Sequence, residues 1–232
     1  MVPELTSEEV RVLGCLIEKE ATTPDLYPLT INSLVHACNQ TSNRYPVVDY
    51  DEPTVQDALH QLRERGLARV VHSVHNRAIK YRHVVDEAFA LDRRQLALLG
   101  VLFLRGPQTA AELRSRTERY CSFADGQDAE AELEWLAGPD PDPDGNPRRD
   151  PLVVKLARQP GQKEQRYAHL LAGTPAATEN FDHAASPGGG AAPAGRAAAA
   201  DRITALEQEL QQLRDEVAEV KTGLEELRRL FD

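Results

Sequence analysis

One apolar helical pattern is written twice in this chain. Leu5, Val10, Leu13, Gly14 and Leu16 recur at one constant offset as Leu91, Leu96, Leu99, Gly100 and Leu102. Such a repeat constrains the fold more than any single motif, because both copies must bury the same face. From Gly173 onward the composition turns rich in Pro, Gly and Ala, which leaves roughly 170 residues of globular sequence, enough for one large domain or two small ones. The repeat decides for two domains, 1–90 and 91–172, followed by a flexible linker over 173–196 and a further helix over 197–232.

Both copies continue in the same order. Thr6 can cap the first helix and Glu9 can reach back to it, with Val10, Leu13, Leu16 and Ile17 inward. A second helix over about 30–39 carries Ile31, Leu34, Val35 and Cys38. The third begins near Asp51, Glu52 and Pro53, turns Val55, Ala58, Leu59 and Leu62 inward, and stops at Gly66. From Leu67 the period changes, so that 67–72 and 78–84 read as two strands of a hairpin. The second copy supplies helices at about 92–104, 109–119 and 127–137, with Thr109 and Glu112 as another capping box, and strands at 152–158 and 165–171. Between them the Pro- and Asp-rich run 138–147 is expected as an exposed insertion. Three helices and a hairpin follow the order of a winged-helix domain. The expected fold class is therefore mainly α with small β-hairpins (α+β): tandem winged-helix domains, then a flexible linker and a C-terminal coiled coil.

Charge and cysteine content narrow the function classes. Of the net charge of −10, half arises beyond 173, where 11 acids oppose 6 Lys or Arg. Overall acidity weighs against undirected nucleic-acid binding but leaves room for a local basic surface. Cys15, Cys38 and Cys121 are widely spaced with no C-x-x-C pair, so they read as reduced, packed thiols. No run approaches ~18 apolar residues and the first helix is amphipathic rather than a signal core. A cytoplasmic protein with no membrane partner is expected.

The third helix of the first copy presents Thr54, Gln56, Asp57, His60 and Arg63 on its polar side. Gln and Arg on such a helix read base edges in a major groove. Asp57 and Glu52 oppose phosphates, and an ordinary solvated face is the equal alternative. Its counterpart in the second copy is crowded with Asp128, Glu130, Glu132 and Glu134, and Trp135 there is expected in the core or between domains. The hairpins carry the opposite charge. Arg69, Arg77, Lys80 and Arg82 lie in the first, and Arg158, Lys163 and Arg166 with Lys155 in the second. They suit backbone contacts to double-stranded DNA, or equally a solvated face or a docking surface for an acidic protein. His72, His75 and His83 do not converge as metal ligands, since residues three apart on a strand point to opposite faces. No phosphate-cradling glycine loop or nucleophile and base motif appears, so neither enzyme nor cofactor is expected.

Ile203, Leu206, Leu210, Leu213, Val217, Val220, Leu224 and Leu227 alternate spacings of three and four, the stripe of a coiled coil. In a parallel in-register pair Arg202 faces Glu207, Glu209 faces Arg214 and Glu216 faces Lys221, all attractive. The antiparallel pairing sets like charges together, so a parallel homodimer is favoured, with a trimer still open. The alternative is that this helix packs on its own globular part.

Leu5 with Gly14 to Lys19, Thr22-Thr23-Pro24, Tyr27-Pro28-Leu29, Ala37 to Gln40 with Asn43 and Arg44, Asn76-Arg77, Lys80-Tyr81, Leu104-Arg105-Gly106, Thr109 with Glu112 to Arg116, and Arg166-Tyr167 together resemble the YceH family of uncharacterised bacterial proteins. The resemblance covers about 5–173 and implies two tandem winged-helix domains with no established activity. The insertion over 138–151 and the long linker depart from it. The signature loop Asn39, Gln40, Asn43 and Arg44 either caps the second helix and ties its loop to the third, the favoured reading, or is offered to a partner. The expected function is a non-enzymatic, homodimeric DNA-binding or regulatory protein. A protein-interaction adaptor with an unidentified partner is the alternative.

Overall fold

The computed structural model describes residues 4–73, 76–138, 140–141, 147–158, 162 and 164–173. The expected linker and coiled coil lie outside the described residues. Helix α1, Ser7–Thr22, starts as expected: the Glu9 amide donates to Thr6 Oγ1 at 3.2 Å and the Thr6 amide to Glu9 Oε2 at 2.7 Å. Every residue from Glu9 to Glu18 is buried, so α1 is enclosed on all sides rather than on one stripe.

Its counterpart is α5, Arg93–Arg105, capped by Asp92 and Gln95 in the same reciprocal manner. The two repeated helices are each other's main neighbour, and glycine makes the contact possible. A Cβ on Gly14 would lie 2.9 Å from Phe103 Cβ, and one on Gly100 would lie 2.7 Å from Ile17 Cγ2. The repeat offset (100 − 14 = 86) also relates Ile17 to Phe103 (103 − 17 = 86), so each copy makes the same contact to the other. This reciprocity is that of an isologous interface built inside one chain.

The remaining elements wrap this pair. In the first half, α2 is Ile31–Cys38, capped by Thr30, and α3 is Glu52–Glu64, capped by Asp51. At the end of α3, Gly66 adopts φ +72° and the Leu67 amide donates to Leu62 O at 2.8 Å, a left-handed stop that favours glycine. Strands β1, Ala68–Ser73, and β2, Asn76–His83, form an antiparallel hairpin with Val70 opposite Tyr81. Leu29 and Tyr81 exchange backbone hydrogen bonds at 3.1 and 2.7 Å, so the turn before α2 adds a third strand-like segment. Short helix α4, Val85–Phe89, leads to α5.

The second half repeats this plan. Strand β3, Gln108–Thr109, precedes α6, Ala110–Thr117, and α7 is Gly126–Ala137. Two short strands, β4, Asp140–Pro141, and β5, Pro147–Arg149, pair within the insertion. Strands β6, Val153–Lys155, and β7, Arg166–His169, complete a three-stranded sheet in the order β3-β7-β6. Gln108 lies opposite Tyr167 as Leu29 lies opposite Tyr81.

One continuous core joins both halves. The Leu5 amide donates to Leu171 O at 2.6 Å and the Tyr45 amide to Leu104 O at 2.8 Å, stitching the halves along their backbones. Trp135 corrects the sequence expectation: it is 39% exposed, because α7 buries Ala129, Leu133 and Leu136, and Trp135 falls off that stripe. No described helix is long and apolar enough to cross a membrane. Among the caps, Asp51 gives a clean test. Its Oδ1 accepts from the Thr54 amide at 3.0 Å, so Asp51→Ala is expected to lower stability by about 1 kcal/mol in denaturant unfolding.

Candidate functional site

Helix α3 lies with one face in the core. Val55, Ala58, Leu59 and Leu62 are buried, while Gln56, Asp57, His60 and Arg63 are exposed and Thr54 is half-buried. Gln56, His60 and Arg63 follow one another at helical spacing and so share one side of the helix. The β1–β2 hairpin begins directly after the α3 stop. Its cations are not all equivalent. Arg69 Nη1 and Arg82 Nη2 both meet the Glu87 carboxylate, at 3.0 and 2.5 Å, on the exposed side of α4. The Arg82 hydrogen bond holds the Glu87 carboxyl below its ordinary value and raises that of Arg82. Lys80 is half-buried on β2 opposite Val71. The side chain of Arg77 lies outside the described residues, as do those of His72 and His75.

In the second half Lys155, Arg94 and Arg166 are committed to carboxylates. Lys155 Nζ lies 2.9 Å from Glu130 Oε1 and 3.7 Å from Glu134 Oε1, over the Tyr167 ring. Arg94 pairs with Asp128 and, at 3.7 Å, with Glu132. The acids of α7 are thus largely answered from within their own half. Arg166 Nη1 donates to Glu112 Oε2 at 2.9 Å and Pro107 O at 3.1 Å, which turns its guanidinium toward the start of α6. Arg158 is exposed and donates to Gln162 O at 2.7 Å, and Lys163 is outside the described residues.

The loop after α2 has a different character. The Asn39 amide clamps the Tyr50 backbone, donating to Tyr50 O and accepting from the Tyr50 amide, both at 2.8 Å. Gln40 Oε1 accepts from Arg44 Nη2 at 3.0 Å. Asn43 takes φ +59°, a conformation Asn tolerates better than most residues, and its Oδ1 accepts from Arg105 of α5. The Arg44 side chain is wholly buried. It donates to both Glu18 carboxylate oxygens, at 3.0 and 2.5 Å, and to Ala37 O from Nε and Nη2.

Glu18 also accepts from Tyr120 OH at 3.3 Å, so the buried ion pair links both halves. Burial alone would raise the Glu18 pKa; the hydrogen bonds and charge of Arg44 outweigh it and hold the carboxyl below 4.5. Burial alone would likewise lower the pKa of Arg44, but Glu18 raises it. A second buried guanidinium, Arg11, donates to Cys38 O at 3.1 Å and to Pro46 O. These two charges of α1, Arg11 and Glu18, are buried off the stripe that Val10, Leu13, Leu16 and Ile17 predict. Their signal was the run Val10 to Ile17, in which Arg11 is the one charged residue.

His83 is buried, with Nε2 2.6 Å from Glu20 Oε2 and Nδ1 3.5 Å from Asp86 Oδ1. Among the described residues no group of His, Cys, Asp or Glu is arranged to hold a metal ion. Cys15, Cys38 and Cys121 are free, the first two buried.

Residues 5–162 match the family model described as "Protein of unknown function, DUF480". A UPF0502 protein of Solibacter usitatus is 46% identical over 229 residues, 99% of this chain and 98% of the relative. Another from Geobacter metallireducens is 47% identical over 229 residues, 98% of each. A third, from Opitutus terrae, is 49% identical over 173 residues, 75% of this chain and 72% of the relative. With its globular part matched by the family model and bacterial relatives aligned along nearly its whole length, this chain belongs to the DUF480/UPF0502 family of uncharacterised bacterial proteins.

Proposed function

We propose that this protein is a non-enzymatic, tandem winged-helix regulator that binds double-stranded DNA through its first half. The order of helices and hairpin in each half and the resemblance to YceH proteins support the winged-helix reading. The observation that carries the DNA reading is the outward side of α3, where Gln56, His60 and Arg63 stand exposed beside a hairpin bearing Arg69, Lys80 and Arg82. Glu87 draws Arg69 and Arg82 together, so a phosphate must compete with one carboxylate for two guanidinium groups. The second half, whose Lys155, Arg94 and Arg166 already hold carboxylates, serves as support rather than as a second reader.

Random duplex DNA titrated over a salt series tests this. Binding at low salt should fall steeply as salt rises, and Arg63→Ala with Lys80→Ala should reduce the log–log slope by about 2. Absence of binding at low salt, or an unchanged slope in the double variant, would overturn the proposal. The heptads beyond residue 196 support assembly as a parallel coiled-coil homodimer. Sedimentation should then show a dimer for the full chain and a monomer for a chain ending at Gly173. The adaptor reading is favoured by exposed apolar side chains, Leu26 at 68% and Val47 at 56%.

A further inference from the structure

Between the last turn of α1 and the first turn of α5 lies a cavity of about 500 Å³. Small-molecule sites span about 300–1,000 Å³. Its floor is apolar, formed by Ile17 and Ala21 of α1, Leu91, and Leu96 and Ala97 of α5. Tyr120 closes one side, its hydroxyl already used by Glu18, so its ring is what it offers to an occupant.

Among the lining residues Glu20, Asp86 and Asp92 outnumber Arg93, with Arg82 acting on Glu20 and Asp86 from outside the lining. Glu20 accepts a short hydrogen bond from the buried His83, which holds its carboxyl below the ordinary value, so it is ionised at neutral pH. Asp92 is partly satisfied as the cap of α5, accepting from the Arg94 and Gln95 amides at 2.8 and 2.9 Å. Asp86 is not. Its Oδ1 is covered yet has no hydrogen-bond donor among the described residues, while the rest of the carboxylate remains partly open to solvent. A buried polar atom without a partner calls for an explanation, and a nearby countercharge is one. An anion entering here would meet three carboxylates. A neutral apolar molecule would cover the floor and deepen the desolvation of Glu20 and Asp86.

We propose that this cavity is a binding site for a small organic cation, an ammonium carried on a flat apolar body. The body lies on the Ile17 and Leu96 floor beside the Tyr120 ring, and the ammonium points to Glu20 and Asp86. The site draws on none of the outward residues of α3 and stands whether or not DNA is bound.

Calorimetric titration of the full chain with tryptamine, and separately with indole-3-propionate, tests the proposal. These probes share a ring and a two-carbon tether but carry opposite charges. Tryptamine should bind at one site and indole-3-propionate should not. Asp86→Asn should weaken tryptamine about fivefold through loss of one partly exposed charge. Leu96→Trp, which fills the floor, should abolish binding while circular dichroism is unchanged, and Ala21→Leu provides a second filling variant. Equal or tighter binding of indole-3-propionate, no saturable tryptamine binding at millimolar concentration, or undiminished affinity in both filling variants would overturn it.

Discussion

Arg44→Ala is expected to destabilise the protein by about 3–5 kcal/mol, the scale for removing one partner of a buried ion pair. The loss is large because what remains is a Glu18 carboxylate with 7% of its side chain exposed and without its bidentate donor. Ala37 O loses both guanidinium donors as well. At about 2–4 °C per kcal/mol for a chain of this size, the melting temperature should fall by roughly 10 °C. The pH dependence distinguishes this cause from simple loss of packing. In the native protein the Glu18 pKa is depressed, so its contribution is present above 4.5 and is lost as pH falls through the lower folded value. In Arg44→Ala the burial that opposes ionisation is answered only by Lys19 and the Tyr120 hydroxyl, so that pKa rises from its native value. The variant therefore recovers part of its deficit as pH falls through the raised value. Adding Glu18→Gln to Arg44→Ala should recover part of the deficit at neutral pH by removing the stranded charge. A deficit under about 1 kcal/mol in Arg44→Ala would contradict the burial argument.

Gly14→Ala and Gly100→Ala should each cost about 1–3 kcal/mol by overpacking, even though alanine raises helix propensity by about 1 kcal/mol over glycine. The steric conflict differs between the two. At position 14 the new methyl meets Phe103 Cβ at 2.9 Å, an atom fixed to the α5 backbone, so relief requires the helices to separate. At position 100 it meets one atom closer than 3.0 Å, Ile17 Cγ2 at 2.7 Å, against three at position 14. Gly14→Ala should therefore be the more damaging. Gly126→Ala is the control, since nothing lies within 4 Å of its Cβ position at the first turn of α7. Chemical denaturation of the three variants checks the order. Equal stabilities for Gly14→Ala and Gly126→Ala would remove the close α1–α5 approach from the argument.

Local chemistry made much of the fold legible. Thr6 with Glu9 and Thr109 with Glu112 form the capping boxes their spacing predicts, and Gly66 ends α3 where the apolar period breaks. Elements that depend on a distant partner were not legible. Strand β3 has two residues, too few to show a period, and exists because β7 is beside it. The Leu29 segment is strand-like only because Tyr81 receives and returns its hydrogen bonds. Trp135 is expected in the core or between domains, yet the register of α7 leaves it partly exposed. The candidate DNA face was readable as a polar stripe on α3. That Arg69 and Arg82 share Glu87, or that Arg166 turns to Glu112, was not, because those carboxylates come from other elements.

The sequence by itself determined the duplication, the helix and hairpin order of each copy, the capping boxes at Thr6 and Thr109, and the buried stripe of α3. These follow from spacing and from contacts within a few residues along the chain. Only the tertiary structure decided what the repeated stripes bury against. Gly14 and Gly100 could be read as shared between the copies, but not as the points where α1 and α5 touch. Likewise Glu18 and Arg44, 26 residues apart, carry no mark in the sequence of being one buried pair. Spacing specifies which face of a helix is apolar. It does not specify the partner, which depends on the shape and charge brought to that face by chain far away in sequence.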